Sequence, residues 1–138
     1  MKQGIYRIID ANLNRTREGL RVCEDILRFV IVDKKLANST KLIRHAATRA
    51  LLSSKKISLR CIIKERDTKK DIMKFSDLKK GKGAEFSDLL LSNIERSKES
   101  LRVLEECCKV FDEETSKKYR SLRFRVYDIE KSIVVKLF

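Results

Sequence analysis

The 138-residue chain contains no proline and no tryptophan, and it has only four glycines and one histidine. Without proline, and with so little glycine, few residues interrupt helix formation over most of the sequence. The alternation of apolar and polar residues that is typical of strands is missing as well. The single histidine, His45, has no accompanying Ser/His/Asp or Cys/His set, so the sequence gives no support for nucleophilic catalysis of those kinds.

Long apolar runs are also missing, because no stretch reaches the roughly 20 residues that a membrane helix requires. No secretory signal opens the chain, so we expect a soluble, cytoplasmic protein that folds as one helical domain over residues 1–138. In a reducing compartment the four cysteines should not form disulfides. Since Cys107 and Cys108 are adjacent, they do not suit a tetrahedral zinc site, and the cysteines are predicted to be small packing residues.

Charged residues are abundant, with 33 Lys and Arg against 20 Asp and Glu and a formal net charge of +13. Such a surplus fits a nucleic acid, an acidic membrane surface, phosphorylated small molecules or solubility alone. The charge by itself does not choose among these partners.

The spacing of the apolar residues predicts an all-α bundle of about five helices joined by short connections. The segment from Asp77 to Ala84, with three lysines and two glycines, breaks the pattern and is predicted to be a loop. A solvated linker is favoured there over a phosphate site before the next helix, because no Walker pattern is present. The predicted helices cover about Ile5–Ile31, Lys34–Leu52, Ile57–Phe75, Glu85–Phe111 and Glu113–Leu137.

An internal repeat is the most informative feature of the sequence. Residues Asp10 to Arg28 align without a gap with Leu91 to Lys109, at an offset of 81. Shared apolar positions would follow from any two amphipathic helices in one core, but shared polar residues would not. The identical pairs are Asn12 and Asn93, Arg15 and Arg96, Glu18 and Glu99, Leu20 and Leu101, Arg21 and Arg102, Val22 and Val103, and Glu24 and Glu105.

The shared polar residues have two interpretations. On the outer face, around Arg17, Arg21 and Asp25, surface ion pairs at spacings of three and four explain the pattern. Other polar residues fall beside the apolar stripe, where charge is costly unless partners or a ligand satisfy it. If the repeat helices pack antiparallel about a pseudo-twofold axis, they would present two Asn/Arg/Glu sets to one shared cleft, suited to phosphate or a metal ion. The sets are Asn12, Arg15 and Glu18, and Asn93, Arg96 and Glu99.

The run Asp10-Ala11-Asn12-Leu13-Asn14-Arg15 is followed by Arg17-Glu18-Gly19-Leu20-Arg21-Val22. Together these motifs resemble the opening of the small, all-helical type of hydroxymethylpyrimidine phosphate kinase, a family of thiamine biosynthesis. The resemblance continues through Leu42-Ile43-Arg44-His45, Arg66-Asp67-Thr68 with Asp71, and the second repeat copy, and so covers nearly the whole chain. One departure is that Ile72 and Met73 follow Asp71, where the family tends to carry a glycine. Members are often fused in front of thiamine phosphate synthase; because this chain stops at Phe138, a stand-alone kinase is expected.

The resemblance implies transfer of the γ-phosphoryl group of ATP to 4-amino-5-hydroxymethyl-2-methylpyrimidine phosphate, with Mg²⁺ accompanying ATP. Arginines would contact phosphates, and carboxylates would hold Mg²⁺ or the pyrimidine amino group. The catalytic candidates are Arg15, Glu18, Arg96 and Glu99. The candidates for substrate binding are Asp10, Asn12, Asn14, Arg44, His45, Arg66, Asp67 and Asn93. The candidate metal ligands are Asp67 and Asp71.

Three classes of function stay open at this point. They are the kinase, a non-catalytic regulatory or scaffold domain of a thiamine phosphate synthase, and a basic nucleic-acid-binding module. The absence of tryptophan and the acidic residues interleaved through the repeat helices weaken the last of these. The expected partners are therefore the phosphorylated pyrimidine and ATP, without a membrane, and a homodimer stays open.

Overall fold

The computed structural model describes residues 1–74 and 85–138 of the chain. Within these two ranges the chain forms five α-helices and no strand, so the predicted all-α fold is confirmed. A π-helical turn, Ile26–Val30, extends the first helix, and a 3₁₀ turn, Thr68–Lys70, follows the third. The loop predicted over Asp77–Ala84 lies outside the described residues. The helices are α1 (Lys2–Asp25), α2 (Lys34–Leu52), α3 (Leu59–Lys64), α4 (Phe86–Cys108) and α5 (Glu113–Leu137).

The four long helices form a closed bundle in which α1 contacts α2 and α4, and α5 contacts α4 and α2. Their apolar stripes meet in one core, with Leu20 and Leu101 fully buried. Cys23 and Cys108 also belong to this core, as predicted, and burial raises the pKa of each thiol to about 12. The prediction is wrong for Cys61, which is exposed near the start of the short helix α3. In the described ranges, no helix is both long and apolar enough to cross a bilayer.

Helices α1 and α4 cross antiparallel. Thr16 Oγ1 lies 2.7 Å from Ser100 Oγ, and a Cβ added to Gly19 would lie 2.7 Å from Ser97 Oγ and 3.1 Å from the carbonyl oxygen of Asn93. In the repeat, Thr16 corresponds to Ser97 and Gly19 to Ser100. A pseudo-twofold rotation that exchanges α1 with α4 therefore converts the Thr16–Ser100 contact into the Gly19–Ser97 contact. Gly19 is therefore the residue that lets the two helices approach closely at the centre of the crossing.

The duplication continues into the following helices, but at an offset of 79. Asp33 and Asp112 are the N-caps of α2 and α5, and their carboxylates accept from the backbone N–H groups of Leu36 and Glu114. The first copy has two more residues between its repeat helix and its N-cap, where the π-helical turn lies. Val32, in this connection, has a φ of 59°, a backbone conformation that β-branched residues rarely adopt.

The segment after α2 differs from the long helix predicted over Ile57–Phe75. Only Leu59–Lys64 is α-helical there, and residues up to Lys74 form turns. The reason is local, because the Asp67 carboxylate accepts from the backbone N–H groups of Lys69 and Lys70. Such a side-chain cap replaces the hydrogen bonds that would continue a helix. The turns that result lie beside the first half of α1.

Candidate functional site

A cleft of about 710 Å³ separates the first half of α1 from the segment Arg66–Ile72. The N-terminal half of α1 supplies one wall, with Ile8 and Ala11 as apolar patches among polar side chains. The turns after α3 supply the other wall. Eight of the residues predicted for the site line this cleft: Asp10, Asn12, Asn14, Arg15, Glu18, Arg66, Asp67 and Asp71.

A bidentate ion pair fixes the two walls to each other. Arg66 donates from Nε and Nη2 to the two carboxylate oxygens of Asp10, both at 2.6 Å. Asp10 is buried on α1, and its hydrogen bonds raise the pKa of the Arg66 guanidinium. Asn14 donates to the Asp10 carbonyl oxygen at 3.1 Å, and Arg7 Nη2 donates to the Asp67 carbonyl oxygen at 3.4 Å. The segment after α3 is thus tied to α1 at two points.

Arg15 and Glu18 are exposed, as Arg66 is, but unlike Arg66 they have no partner among the described residues. Neither side chain makes a hydrogen bond or an ion pair with any residue in the described ranges. The prediction placed them beside the core, but both are exposed, because Thr16 and Gly19 are the residues that face α4. An exposed guanidinium at the edge of a cleft keeps all five donors available for a phosphate.

The two asparagines of the repeat have equivalent structural roles. Asn12 donates to the Ile8 carbonyl oxygen at 2.9 Å, and Asn93 donates to the Leu89 carbonyl oxygen at 2.7 Å. Both side chains are buried, and each bond spans one turn of its own helix. Asn12 lines the cleft nevertheless, so its amide oxygen is the atom that a bound ring could reach.

Asp67 and Asp71, the predicted metal ligands, both line the cleft. Asp67 caps the 3₁₀ turn and lies 3.7 Å from Lys70 Nζ, while Asp71 accepts from the backbone N–H of Met73 at 3.0 Å. In residues 1–74 and 85–138, no three Asp, Glu, His or Cys side chains are grouped closely enough to hold a metal ion alone. Magnesium bound to a nucleotide needs only one or two protein carboxylates, so this donor set fits it.

Beside the main cleft, α1 borders a second depression of about 500 Å³. It is lined by Asn14, Arg17, Glu18, Arg21 and Arg44, and therefore shares Asn14 and Glu18 with the main cleft. Every lining residue is polar or charged, and three of the five are arginines. One ridge of α1 thus separates a cleft with apolar patches from a cationic depression.

Buried glutamates fix an arginine in each copy of the repeat. Glu24 accepts from Arg44 Nε at 2.8 Å, and Glu105 accepts from Arg123 Nε and Nη2 at 3.1 and 3.0 Å. The sequence comparison found Glu24 and Glu105 but missed Arg123. The sequence does contain a signal for Arg123, because Asp33 matches Asp112 and Arg44 matches Arg123 at an offset of 79. An alignment without gaps at the offset of 81 does not pair these residues.

The remaining predicted residues lie outside both depressions. Arg96 and Glu99 are exposed on α4 and His45 is exposed on α2, whereas Asn93 is buried. Helices α1 and α4 cross near Gly19 and Ser97. Arg15 and Glu18 on α1, and Arg96 and Glu99 on α4, lie within about one turn of this crossing along their helices. The described lining of the main cleft nevertheless comes from α1 and the segment after α3, not from α4.

Fold and site together define an all-α protein made of two related helical hairpins, with polar depressions around the first repeat helix. Sequence comparison matches residues 7–132 with the ThiD2 family, and the chain belongs to this family. No solved structure matches the chain significantly.

Curated relatives are similar over almost the entire chain. A thiamine-phosphate synthase of Synechocystis sp. is 37% identical over 131 residues, which cover 94% of this chain and 36% of the relative. A thiamine-phosphate synthase of Nostoc punctiforme is 33% identical over 135 residues, 97% of this chain and 36% of the relative. The chain therefore spans about a third of the length of these relatives, which are named for thiamine biosynthesis.

Proposed function

We propose that this protein transfers the γ-phosphoryl group of ATP to 4-amino-5-hydroxymethyl-2-methylpyrimidine phosphate, giving the diphosphate used in thiamine synthesis. The observation that carries the proposal is the main cleft, which combines the unengaged Arg15 with the fixed Arg66–Asp10 pair. Membership of the ThiD2 family, and relatives named thiamine-phosphate synthase, support a role in this pathway.

The reaction does not require a strong general base. The nucleophile is a phosphate monoester whose second pKa is about 6, so it is mostly dianionic at neutral pH. One of its oxygens attacks Pγ, the bond between Pγ and the β,γ-bridging oxygen breaks, and ADP leaves with that electron pair. Because no proton has to be removed, the site needs mainly cations and precise positioning. Arginines in a cleft that lacks a histidine satisfy this requirement.

Six residues of the main cleft have a role in this scheme. Arg15 offers a planar pair of donors to the substrate phosphate, while Arg66, occupied by Asp10, holds the second wall in place. Ile8 and Ala11 give the pyrimidine ring an apolar surface. Asp67 and Asp71 would hold the Mg²⁺ that accompanies ATP, which neutralises developing charge on the transferred group.

The test is a direct assay with a matched pair of variants. Purified protein is incubated with ATP, Mg²⁺ and the pyrimidine monophosphate, and ADP and pyrimidine diphosphate are measured. We expect Arg15→Ala to lower kcat/KM about 100-fold, because one charge-assisted contact to the reacting phosphate is lost. Arg125→Ala is the control, since Arg125 is exposed on α5 and lies outside both depressions.

Two results would contradict the proposal. Folded wild-type protein that forms no diphosphate would not be this kinase, and binding of the pyrimidine phosphate without ATP consumption would indicate a regulatory domain instead. Equal losses in Arg15→Ala and Arg125→Ala would remove Arg15 from the site.

A further inference from the structure

The second depression has the composition of an anion site. Its arginines come from two helices, Arg17 and Arg21 from successive turns of α1 and Arg44 from α2. Glu18 is the single acidic residue in the lining, while Glu24 and Asp25, outside it, pair with Arg44 and Arg21. No apolar side chain contributes to it. The guanidinium groups of these arginines offer planar pairs of donors to phosphate oxygens.

The ion pair of Arg44 fixes its side chain but occupies only one of its three guanidinium nitrogens. Its Nε donates to the buried Glu24, and its side chain is 13% exposed. Its Nη1 and Nη2 atoms make no hydrogen bond with the described residues. The equivalent Arg123 in the second copy gives Nε and Nη2 to Glu105 and Nη1 to Tyr127. The same buried pair thus leaves two guanidinium nitrogens without a partner in the first copy and none in the second, among the described residues.

Arg17 and Arg21 complete the arrangement on α1. Arg17 is exposed and has no ion pair in the described part of the chain. Arg21 Nε lies 3.3 Å from Asp25 Oδ2, a single contact at the exposed surface, which a phosphate can outcompete. The sequence pattern attributed these residues to surface ion pairs; Arg21 makes one, but both arginines also border a concave surface.

We propose that Arg17, Arg21 and Arg44 bind the phosphates of the nucleotide in the second depression. The γ-phosphate would extend past Asn14 and Glu18 to the main cleft, which takes the pyrimidine phosphate and where Asp67 and Asp71 would hold Mg²⁺. This assignment rests on the proposed function, because it supplies the second substrate of the same reaction. Asn14 and Glu18 line both depressions, so the two phosphate groups that react meet along this ridge of α1. The three arginines of the lining are the observation that assigns the depression to phosphate groups.

Equilibrium binding tests the assignment without any turnover. Calorimetry measures the Kd of the β,γ-methylene analogue of ATP with Mg²⁺ for the wild type, Arg21→Ala and Arg102→Ala. Arg102 is the repeat equivalent of Arg21: it is 57% exposed against 54%, and it also lies 3.3 Å from the acid four residues later. Net charge therefore changes alike in the two variants; because Arg102 also lies 4.0 Å from Glu105, the urea midpoint of each variant is measured beside its Kd.

We expect Arg21→Ala to raise this Kd about tenfold and Arg102→Ala less than twofold. Arg44→Lys should raise the Kd by a similar factor and keep the urea midpoint near that of the wild type. Lysine can still pair with Glu24, but it lacks the second pair of donors. Inorganic tripolyphosphate should compete with the analogue, and adenosine should not.

The outcomes separate this assignment from the proposed reaction. If diphosphate forms but Arg21→Ala and Arg102→Ala bind the analogue equally, the kinase stands and the triphosphate site is wrong. If Arg21→Ala weakens binding of the pyrimidine monophosphate instead, the two depressions are assigned in the wrong order. If the analogue binds in an Arg21-dependent way but no diphosphate forms, the site stands and the proposed reaction fails. If the wild type does not bind the analogue, the assignment is overturned.

Discussion

The first helical hairpin, α1 with α2, and the second, α4 with α5, carry the same buried Glu–Arg pair in different surroundings. In the second, Lys98 binds Glu95 at 2.5 Å and Glu130 at 2.8 Å, which closes that surface with internal ion pairs. Burial opposes the charge on Lys98, but its hydrogen bonds to the two glutamates prevail and raise its pKa. In the first, Arg17 stands at the position of Lys98 and has no ion pair within the described ranges. The two copies of the repeat thus share a fold, but the cation at this position is paired in the second copy and, among the described residues, unpaired in the first.

The largest expected effect concerns the buried pairs. Glu105 binds Arg123 through two bonds, and Arg102 and Arg120 lie 4.0 and 3.9 Å from its carboxylate oxygens. Glu105→Gln leaves these cations without their shared anion, so we expect a loss of about 3 kcal/mol in unfolding free energy. Glu24→Gln should cost less, about 2 kcal/mol, because the free end of Arg44 can be hydrated. Urea denaturation measures both.

A larger loss for Glu24→Gln than for Glu105→Gln would show that the first copy is the more tightly closed one. It would also weaken the case that Arg44 keeps donors free for a ligand.

The next largest expected effect on stability distinguishes two glycines of α1, one at the helix crossing and one away from it. Gly19→Ala places a methyl group 2.7 Å from Ser97 Oγ and 3.1 Å from a backbone oxygen, whereas nothing lies within 4 Å of a Cβ at Gly4. We expect Gly19→Ala to destabilise the fold by about 1–2 kcal/mol, because overpacking outweighs the gain in helix propensity. Gly4→Ala should instead add a few tenths of a kcal/mol to stability.

Thermal and urea unfolding of both variants measure this difference. If Gly19→Ala is as stable as Gly4→Ala, α1 and α4 do not approach closely at this position.

The smallest expected effect distinguishes the two N-caps by pH and salt. The Leu36 N–H and then Lys136 lower the pKa of Asp33, while the Ser54 hydroxyl and then Thr115 lower that of Asp112. A lowered folded-state pKa means that each cap stabilises the fold above its unfolded pKa of about 3.9. This contribution is lost as the pH falls through the lower, folded value.

Asp33→Asn and Asp112→Asn should therefore each reduce the fall in the free energy of unfolding below pH 4 by less than about 1 kcal/mol, as measured by urea denaturation. Salt at about 0.5 M should reduce the contribution of Asp33, whose partner Lys136 is exposed, and spare that of Asp112, which has neutral donors. Equal salt sensitivity of the two caps would contradict this assignment.

The sequence predicted the all-α fold because apolar spacing and the absence of proline act locally along each helix. The repeat and the family resemblance also singled out eight of the residues that line the main cleft, but not Arg7, Ile8 or Lys70. The sequence did not predict the end of α3, because that depends on one cap, in which the Asp67 carboxylate competes with helical hydrogen bonding. It misplaced Arg15 and Glu18 relative to the core, because the face that meets α4 is decided by the Gly19 crossing. The second depression was out of reach, because Arg44 joins Arg17 only through the packing of α2 on α1.

The pairing of Thr16 with Ser100 and of Ser97 with Gly19 has the pattern of an isologous interface, in which one patch meets its own copy. In a dimer of identical hairpins, each substitution would appear twice, once in each half. Joined in one chain, the halves can differ, as they do at Gly19 and Ser100 and at Arg17 and Lys98. Covalent linkage thus lets one half leave Arg17 without an ion pair to any described residue while the other half pairs the equivalent Lys98 with Glu95 and Glu130.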